Sequence, residues 1–312
     1  MNNTNANTFP DRVTIELTNN CNLKCIMCPR VYMKSPRGFI LMSLFKKIID
    51  EMSMHNNNAL VPFFRGESLL HPEFIGMMKY VKAKKISPVQ LTTNATLMTE
   101  NIAQTLIDIE LDFISFSIDS IDPHEYSKIR KGADLQKVLR NIENFCKIRR
   151  EKGHDKPEIQ VSVVKTENTA DGLDDFIEFW QDRVDRVRVY EEHSRNGSYG
   201  SIRRDCEAAA PTEERKPCLK PFSDLVIYWN GSVALCNHDW DRTDAIGNVN
   251  ASSIEEIWHN RKYKIIREAH IHDRDLLEEL CKKCDHWETH YLPHKQIGDL
   301  YASNSKTAIN IY

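Results

Sequence analysis

The sequence has no large excess of charge of either sign: 42 lysines and arginines stand against 45 aspartates and glutamates, a net charge of −3. That balance speaks against bulk nucleic-acid binding, which shows as a strongly basic domain. No apolar run approaches the roughly 20 residues that a spanning helix needs, so no membrane association is expected. The opening residues, Met1-Asn2-Asn3-Thr4-Asn5-Ala6-Asn7-Thr8, have no basic cap leading into an apolar core. Residues 1–10 read as a short disordered lead-in and not as a signal peptide. Internal repeats are missing too, as are low-complexity tracts beyond the lead-in. These absences imply a cytoplasmic protein. What is present is a chain of 312 residues with nine cysteines. The length suits one large domain, or a large one with a small companion. Cysteines in a reducing compartment stay thiols, which puts metal or redox chemistry first.

Strand-like and helix-like patterns alternate along the first two thirds. Strands are predicted at residues 12–18, 60–64, 89–92, 113–118, 159–164 and 187–190. Between them lie amphipathic helices, among them 43–54, one opened by Pro72, one capped by Thr99, then 135–148 and 173–180. Repeated βα units imply an α/β fold with a parallel sheet, and six of them imply a partial (β/α)6 TIM-like barrel. Residues 193–217 read as linker, with a boundary near residue 215. Beyond it, two apolar arms around Asn230-Gly231 predict a hairpin over 225–235. A helix over 253–269 follows, and residues 291–312 form a tail.

Three cysteines, Cys21, Cys25 and Cys28, share one loop directly after the first strand. Three thiolates can hold three irons of a 4Fe-4S cluster, leaving the fourth iron open to a small molecule. A zinc site lacking one ligand, or three buried thiols, are the other readings. The place matters, because the C-terminal ends of barrel strands carry active sites. The spacing Cys-x3-Cys-x2-Cys after an N-terminal strand resembles the signature of the radical S-adenosylmethionine (radical SAM) superfamily. That resemblance implies an open iron chelating SAM, reductive cleavage of SAM to a 5′-deoxyadenosyl radical, and abstraction of a hydrogen atom from a substrate. It also implies a flavodoxin- or ferredoxin-type reductant. Arg65-Gly66-Glu67 stands where the family has Gly-Gly-Glu, with Glu67 as acceptor for the SAM amino group and Arg65 as a departure. Asn94, Ser117 and Asp119, at the ends of the third and fourth strands, stand where the family contacts ribose and methionine. Arg130 resembles an arginine near the SAM carboxylate.

A second group comprises Cys218, Cys236, Cys281 and Cys284. Its arrangement around a hairpin and a Cys-x-x-Cys pair resembles the auxiliary-cluster domain called twitch, a reduced relative of SPASM, here over residues 216–290. One auxiliary 4Fe-4S cluster, ligated by all four cysteines, is implied, with electron transfer as its task. The competing reading is a four-cysteine zinc site, although a zinc ribbon more usually shows two Cys-x-x-Cys pairs. Of the two cysteines left over, Cys146 falls on the buried face of a helix and reads as a small core residue. Cys206 lies in a polar loop and is a candidate hydrogen-atom donor. His193 and Arg195, after the sixth strand, are candidates for proton removal or for binding hydroxyl and carboxylate groups.

The arrangement is similar to radical SAM dehydrogenases of aminocyclitols and to radical SAM epimerases. Dehydrogenation of a hydroxylated small molecule such as a sugar or aminocyclitol comes first, with the auxiliary cluster as electron acceptor. Epimerisation of a sugar, aminoglycoside or peptide residue through Cys206 is the alternative, followed by modification of a ribosomally made peptide.

Overall fold

Apolar and β-branched side chains form six short strands: β1 (Arg12–Ile15), β2 (Ala59–Val61), β3 (Gln90–Thr93), β4 (Phe113–Ser117), β5 (Glu158–Lys165) and β6 (Arg186–Glu191). Amphipathic helices intervene: α1 (Met42–Met52), α2 (Phe74–Ala83), α3 (Glu100–Asp108), α4 (Pro123–Ile129), α5 (Leu135–Glu151) and α6 (Leu173–Trp180). Side-chain oxygens start several of them, as Thr99, Asp122 and Asp134 each accept a backbone N–H from the first turn. The computed structural model describes residues 7–56, 58–191, 215–240, 245–282, 284, 287, 295–296 and 308–311. Among the described residues no helix is long and apolar enough to cross a membrane.

Strands β3 to β6 pair in parallel in chain order. β1 pairs in parallel with β2. β2 and β3 touch at a single parallel bridge, Leu60 to Val89, where Leu60 N donates to Pro88 O at 2.9 Å. The six strands therefore succeed one another as an open, helix-covered parallel array, the partial (β/α)6 barrel expected. Its core joins inward strand residues such as Ile15, Leu91, Phe116 and Val161 to helix residues such as Phe45, Leu106 and Phe145. Cys146 is half-buried against that core.

The C-terminal third differs from its sequence reading in three respects, the last being that the expected tail supplies two strands. Its first strand, β7 (Asp224–Ile227), follows the short helix α7 (Lys220–Ser223) and pairs in parallel along all of β1. Only its hairpin role was legible: β7 turns at Asn230-Gly231 into antiparallel β8 (Ser232–Ala234), which pairs with β9 (Gly247–Asn248). The helix expected over 253–269 is two, α8 (Ile254–Trp258) and α9 (Arg261–Ile271). The break arises because the Asn260 side chain accepts from Tyr263 N at 2.9 Å and starts a new helix. After α10 (Glu279–Lys282), β10 (Lys295–Gln296) and β11 (Ala308–Ile311) pair with each other, and β11 lies parallel to β6. Both edges of the parallel array are thus covered by late strands.

A buried ion pair fastens β1, β2 and the hairpin together. Glu16 and Arg65 have no exposed side-chain surface, and Arg65 Nε and Nη2 meet the two carboxylate oxygens at 2.5 and 2.8 Å. Trp229 N donates to Glu16 at 3.2 Å, and Arg65 Nη1 donates to Trp240 O at 2.6 Å. The guanidinium lies 4.3 Å from the Tyr228 ring centre and 5.4 Å from that of Phe64. Every polar group of the pair has a partner, the condition under which burial of charge is tolerated.

Two stability measurements follow from this geometry. Arg65→Met strands the Glu16 carboxylate and should cost about 3–5 kcal/mol in urea denaturation, with Glu16→Gln/Arg65→Met recovering part of the loss. At Gly231, φ is +87° and a Cβ would lie 2.3 Å from Asn250 Nδ2. Gly231→Ala should therefore cost at least the roughly 1–2 kcal/mol of a left-handed L-residue, read as a lower unfolding temperature.

Candidate metal and cofactor centres

The loop carrying Cys21, Cys25 and Cys28 leaves β1 and is held from three sides. Lys24 N and Ile26 N each donate at 3.0 Å to the carbonyls of Lys131 and Ile129, at the C-terminal end of α4. Arg30 Nη2 donates to Leu23 O at 2.5 Å. Glu67 N donates to Asn20 O at 2.8 Å, and there the chains are so close that a Cβ on Gly66 would sit 2.2 Å from Thr18 O. Glycine at position 66 is a steric requirement of the loop. Cys21 and Cys25 each feel the Cys28 thiol electrostatically. Burial pushes the Cys25 thiol up to about 11, against the pull of Arg130. Cys21 Sγ accepts from Leu23 N at 3.5 Å and from Asn94 Nδ2 at 3.9 Å.

Glu67 is buried at the ends of β2 and β3. Its Oε1 accepts from Thr93 Oγ1 at 2.8 Å and Leu69 N at 3.2 Å, and its Oε2 from Asn94 N at 2.9 Å. A carboxylate has about four lone-pair sites, so one on Oε2 stays open to a further donor. Burial raises the Glu67 pKa, partly opposed by those hydrogen bonds. Asn94 is committed to the loop: Nδ2 reaches Asn22 Oδ1 at 3.1 Å, and Oδ1 accepts from Thr96 Oγ1 at 2.6 Å. Asp119, at φ +72°, accepts from Arg130 Nε at 2.6 Å and Val164 N at 2.9 Å. Burial works against the Arg130 charge, but Asp119 and Cys25 more than offset it and hold its pKa above the usual range. The Arg130 Nη groups make no hydrogen bond among the described residues, nor does the half-buried Ser117 side chain.

The structure thus gathers Cys21, Cys25, Cys28, Glu67, Asn94, Asp119 and Arg130 at one end of the array. Sequence reasoning missed Tyr126, one helical turn before Arg130. Its hydroxyl is buried without a hydrogen-bond partner, within the electrostatic reach of Cys25. The i, i+4 spacing from Arg130 was the available signal. His193, Arg195 and Cys206 lie outside the described residues.

In the C-terminal third, Cys218, Cys236, Cys281 and Cys284 border one cavity together with Arg215, His238, His270 and Trp287. Cys218 precedes α7, Cys236 follows β8, and the last pair sits on and after α10. Burial pushes Cys236 up to about 12, with Cys284 and Cys218 adding to it. Arg215 Nη2 and Nη1 donate to the carbonyls of Cys281 and Lys282 at 2.6 and 3.1 Å. Two nitrogens in this lining, Arg215 Nε and His270 Nε2, are buried and without a hydrogen-bond partner. Among the described residues no three His, Cys, Asp or Glu side chains converge on a single-ion site. The four cysteines instead share one enclosed cavity, and the two orphaned nitrogens beside them suit a bound group that carries acceptor sulfurs.

Comparison with known proteins agrees with this geometry. The family described as Radical SAM superfamily matches residues 15–189, and that described as an iron-sulfur cluster-binding domain (SPASM) matches residues 218–285. The tungsten-containing aldehyde ferredoxin oxidoreductase cofactor-modifying protein of Pyrococcus furiosus is 25% identical over 300 residues, spanning 81% of this chain and 82% of the relative. A probable GTP 3′,8-cyclase of Methanococcus maripaludis is 30% identical over 140 residues, spanning 43% of this chain and 45% of its own length. BtrN, solved in complex with AdoMet and 2-DOIA, shares the fold with a TM-score of 0.59 at 19% identity, over 88% of this chain and 92% of BtrN. Streptococcus suis SuiB, bound to the precursor peptide SuiA, shares it with a TM-score of 0.69 at 14% identity, over 98% of this chain and 76% of SuiB. The two family matches bring 4Fe-4S clusters and SAM as cofactors. With the first match covering more than half of its residues, on an open parallel array that ends in a three-cysteine loop, this chain belongs to the radical SAM superfamily.

Proposed function

We propose that the protein dehydrogenates a hydroxylated small molecule of the sugar or aminocyclitol class. The observation that carries this reading is the cavity bordered by Cys218, Cys236, Cys281 and Cys284. Four thiolates complete the ligand set of a 4Fe-4S cluster. A cluster so enclosed has no iron open to substrate and suits the uptake of an electron, which a dehydrogenation releases and a redox-neutral epimerisation does not. The near-equal extent of BtrN, solved with 2-DOIA, supports a compact substrate.

Cys21, Cys25 and Cys28 would hold the first cluster and leave one iron for SAM. Bound together, cluster and SAM supply the radical that takes a hydrogen atom from carbon. The chain's own part is to bind and orient. Glu67 offers its open Oε2 site to the SAM ammonium, a charge-assisted contact in a buried place. Arg130, its Nε fixed by Asp119, presents both Nη groups to the carboxylate. Asn94 steadies the cysteine loop through Cys21 and Asn22, so its role is positional. Asp119 serves through Arg130, and Ser117 remains for ribose or substrate. His193 or Arg195 would address substrate oxygens, and Cys206 is the donor that an epimerase would need.

Two measurements test the reading. Cys21→Ala/Cys25→Ala/Cys28→Ala protein should retain iron and sulfide for the auxiliary cluster yet form no deoxyadenosine from SAM and reductant. Deoxyadenosine at the parent's rate would sink the assignment of the loop. The second is product mass after turnover in deuterated water with pooled sugars, aminocyclitols and short peptides. Loss of two hydrogens without deuterium at carbon is expected, whereas gain of one deuterium in an otherwise unchanged product would replace dehydrogenation by epimerisation.

A further inference from the structure

His270 was not singled out by its sequence context, yet it occupies an unusual place. It sits near the end of α9, is 3% exposed, and lines the four-cysteine cavity with its buried Nε2 unpaired. Buried polar groups in folded proteins nearly always have partners, and each exception calls for an explanation. Helix α9 does not leave the ring free to swing out to water. Next to His270, Ala269 and Arg267 are buried, and Arg267 ties the helix down through Nε to Pro221 O and Nη1 to Trp258 O, both at 2.8 Å. Pro221 belongs to α7, three residues past Cys218. The contact that holds α9 therefore also fixes His270 relative to one of the thiols.

Arg215, in the segment before α7, repeats the pattern. Its two Nη groups are spent on the carbonyls of Cys281 and Lys282, while Nε is buried and unpaired. Its guanidinium lies 5.8 Å from the Trp287 ring centre, a further anchor. Two nitrogens, each able to carry an N–H, thus lie buried and without a hydrogen-bond partner in one cavity lined by four cysteines.

We propose that His270, with Arg215 beside it, donates a hydrogen bond to a sulfur of the auxiliary cluster and so raises that cluster's reduction potential. The proposal rests on the reading that the four thiols hold this cluster. Reduction adds negative charge to the cluster, and N–H donors aimed at its sulfurs stabilise the reduced form more than the oxidised one. The guanidinium charge of Arg215 acts in the same direction. The result is a cluster suited to accepting an electron. His270 is a tuning group and not a ligand, since four cysteines complete the coordination.

The test uses anaerobically reconstituted full-length protein with Cys21, Cys25 and Cys28 replaced by Ala, so that only the auxiliary cluster titrates. Midpoint potentials are read by EPR-monitored redox titration. His270→Leu should lower the one-electron equilibrium constant for reduction about tenfold, a shift of about 59 mV to more negative potential. His270→Gln, which keeps an N–H donor, should return toward the parent. An unchanged potential in His270→Leu, or an equal shift in both variants, overturns the proposal. If His270→Leu loses its iron, pulsed EPR of protein labelled with 15N-histidine decides. A weak nitrogen coupling that persists in His238→Gln and vanishes in His270→Gln is expected. No such coupling, or one large enough for a direct ligand, overturns it. A parent without C-terminal iron would instead refute the four-thiol reading itself.

Discussion

The buried pair between Glu16 and Arg65 is the contact on which the other relationships in this molecule depend. It joins residues just past the ends of β1 and β2, and through Trp229 N and Trp240 O it also takes hold of the hairpin that begins with β7. Within two residues of Arg65 lie Gly66, whose lack of a side chain admits the cysteine loop, and Glu67, whose carboxylate knits β2 to the end of β3. Four residues before Trp240 lies Cys236. One ion pair thus sets the spacing between the loop of three thiols and the cavity of four. The arginine that departs from the family's double glycine is what makes this possible. A glycine could neither pair with Glu16 nor reach the Trp240 carbonyl.

The two centres are built on opposite principles. Around the first, charges are explicit: Arg130, Asp119 and Glu67 surround Cys25 and Cys21, and each pair is fixed by hydrogen bonds that leave an arm open. Such an arrangement suits a charged, zwitterionic ligand that arrives and departs. Around the second, burial dominates, pushing Cys236 up to about 12. The Arg215 and Lys220 cations and two histidines line it, with no carboxylate among the lining residues. That suits a resident group which exchanges electrons but not ligands.

Much of this was legible in the sequence, and the reasons are physical. Period-two and period-3.6 patterns located all six strands of the parallel array and the helices between them except the short α4, because each element buries one face against a common core. The cysteine spacings were legible because ligand geometry restricts them, and Asn230-Gly231 because a tight hairpin demands a left-handed residue. Glu67 and Arg130 were singled out through resemblance, which motif position alone could carry. What was not legible depends on contacts between residues far apart in the chain. The pairing of β7 with β1 leaves no mark on either segment, and the break between α8 and α9 hinges on one asparagine side chain. His270 and Tyr126 look like ordinary helix residues until their neighbours are known.

The covering of both sheet edges by late strands has a consequence for how the chain is made. During synthesis β1 to β6 can assemble in order, each strand pairing with the one before it. The outer edge of β1, however, waits for Asp224–Ile227, and that of β6 for Ala308–Ile311. Until those segments leave the ribosome, the nascent array shows two rows of unpaired backbone groups to other chains, the circumstance in which parallel sheets aggregate. Residues that line the auxiliary cavity, Cys218 and Cys236 among them, flank the strand that covers β1. The residues of the second centre and the strands that protect the growing sheet therefore all emerge in the last third of translation, so the sheet edges stay open while most of the chain is made.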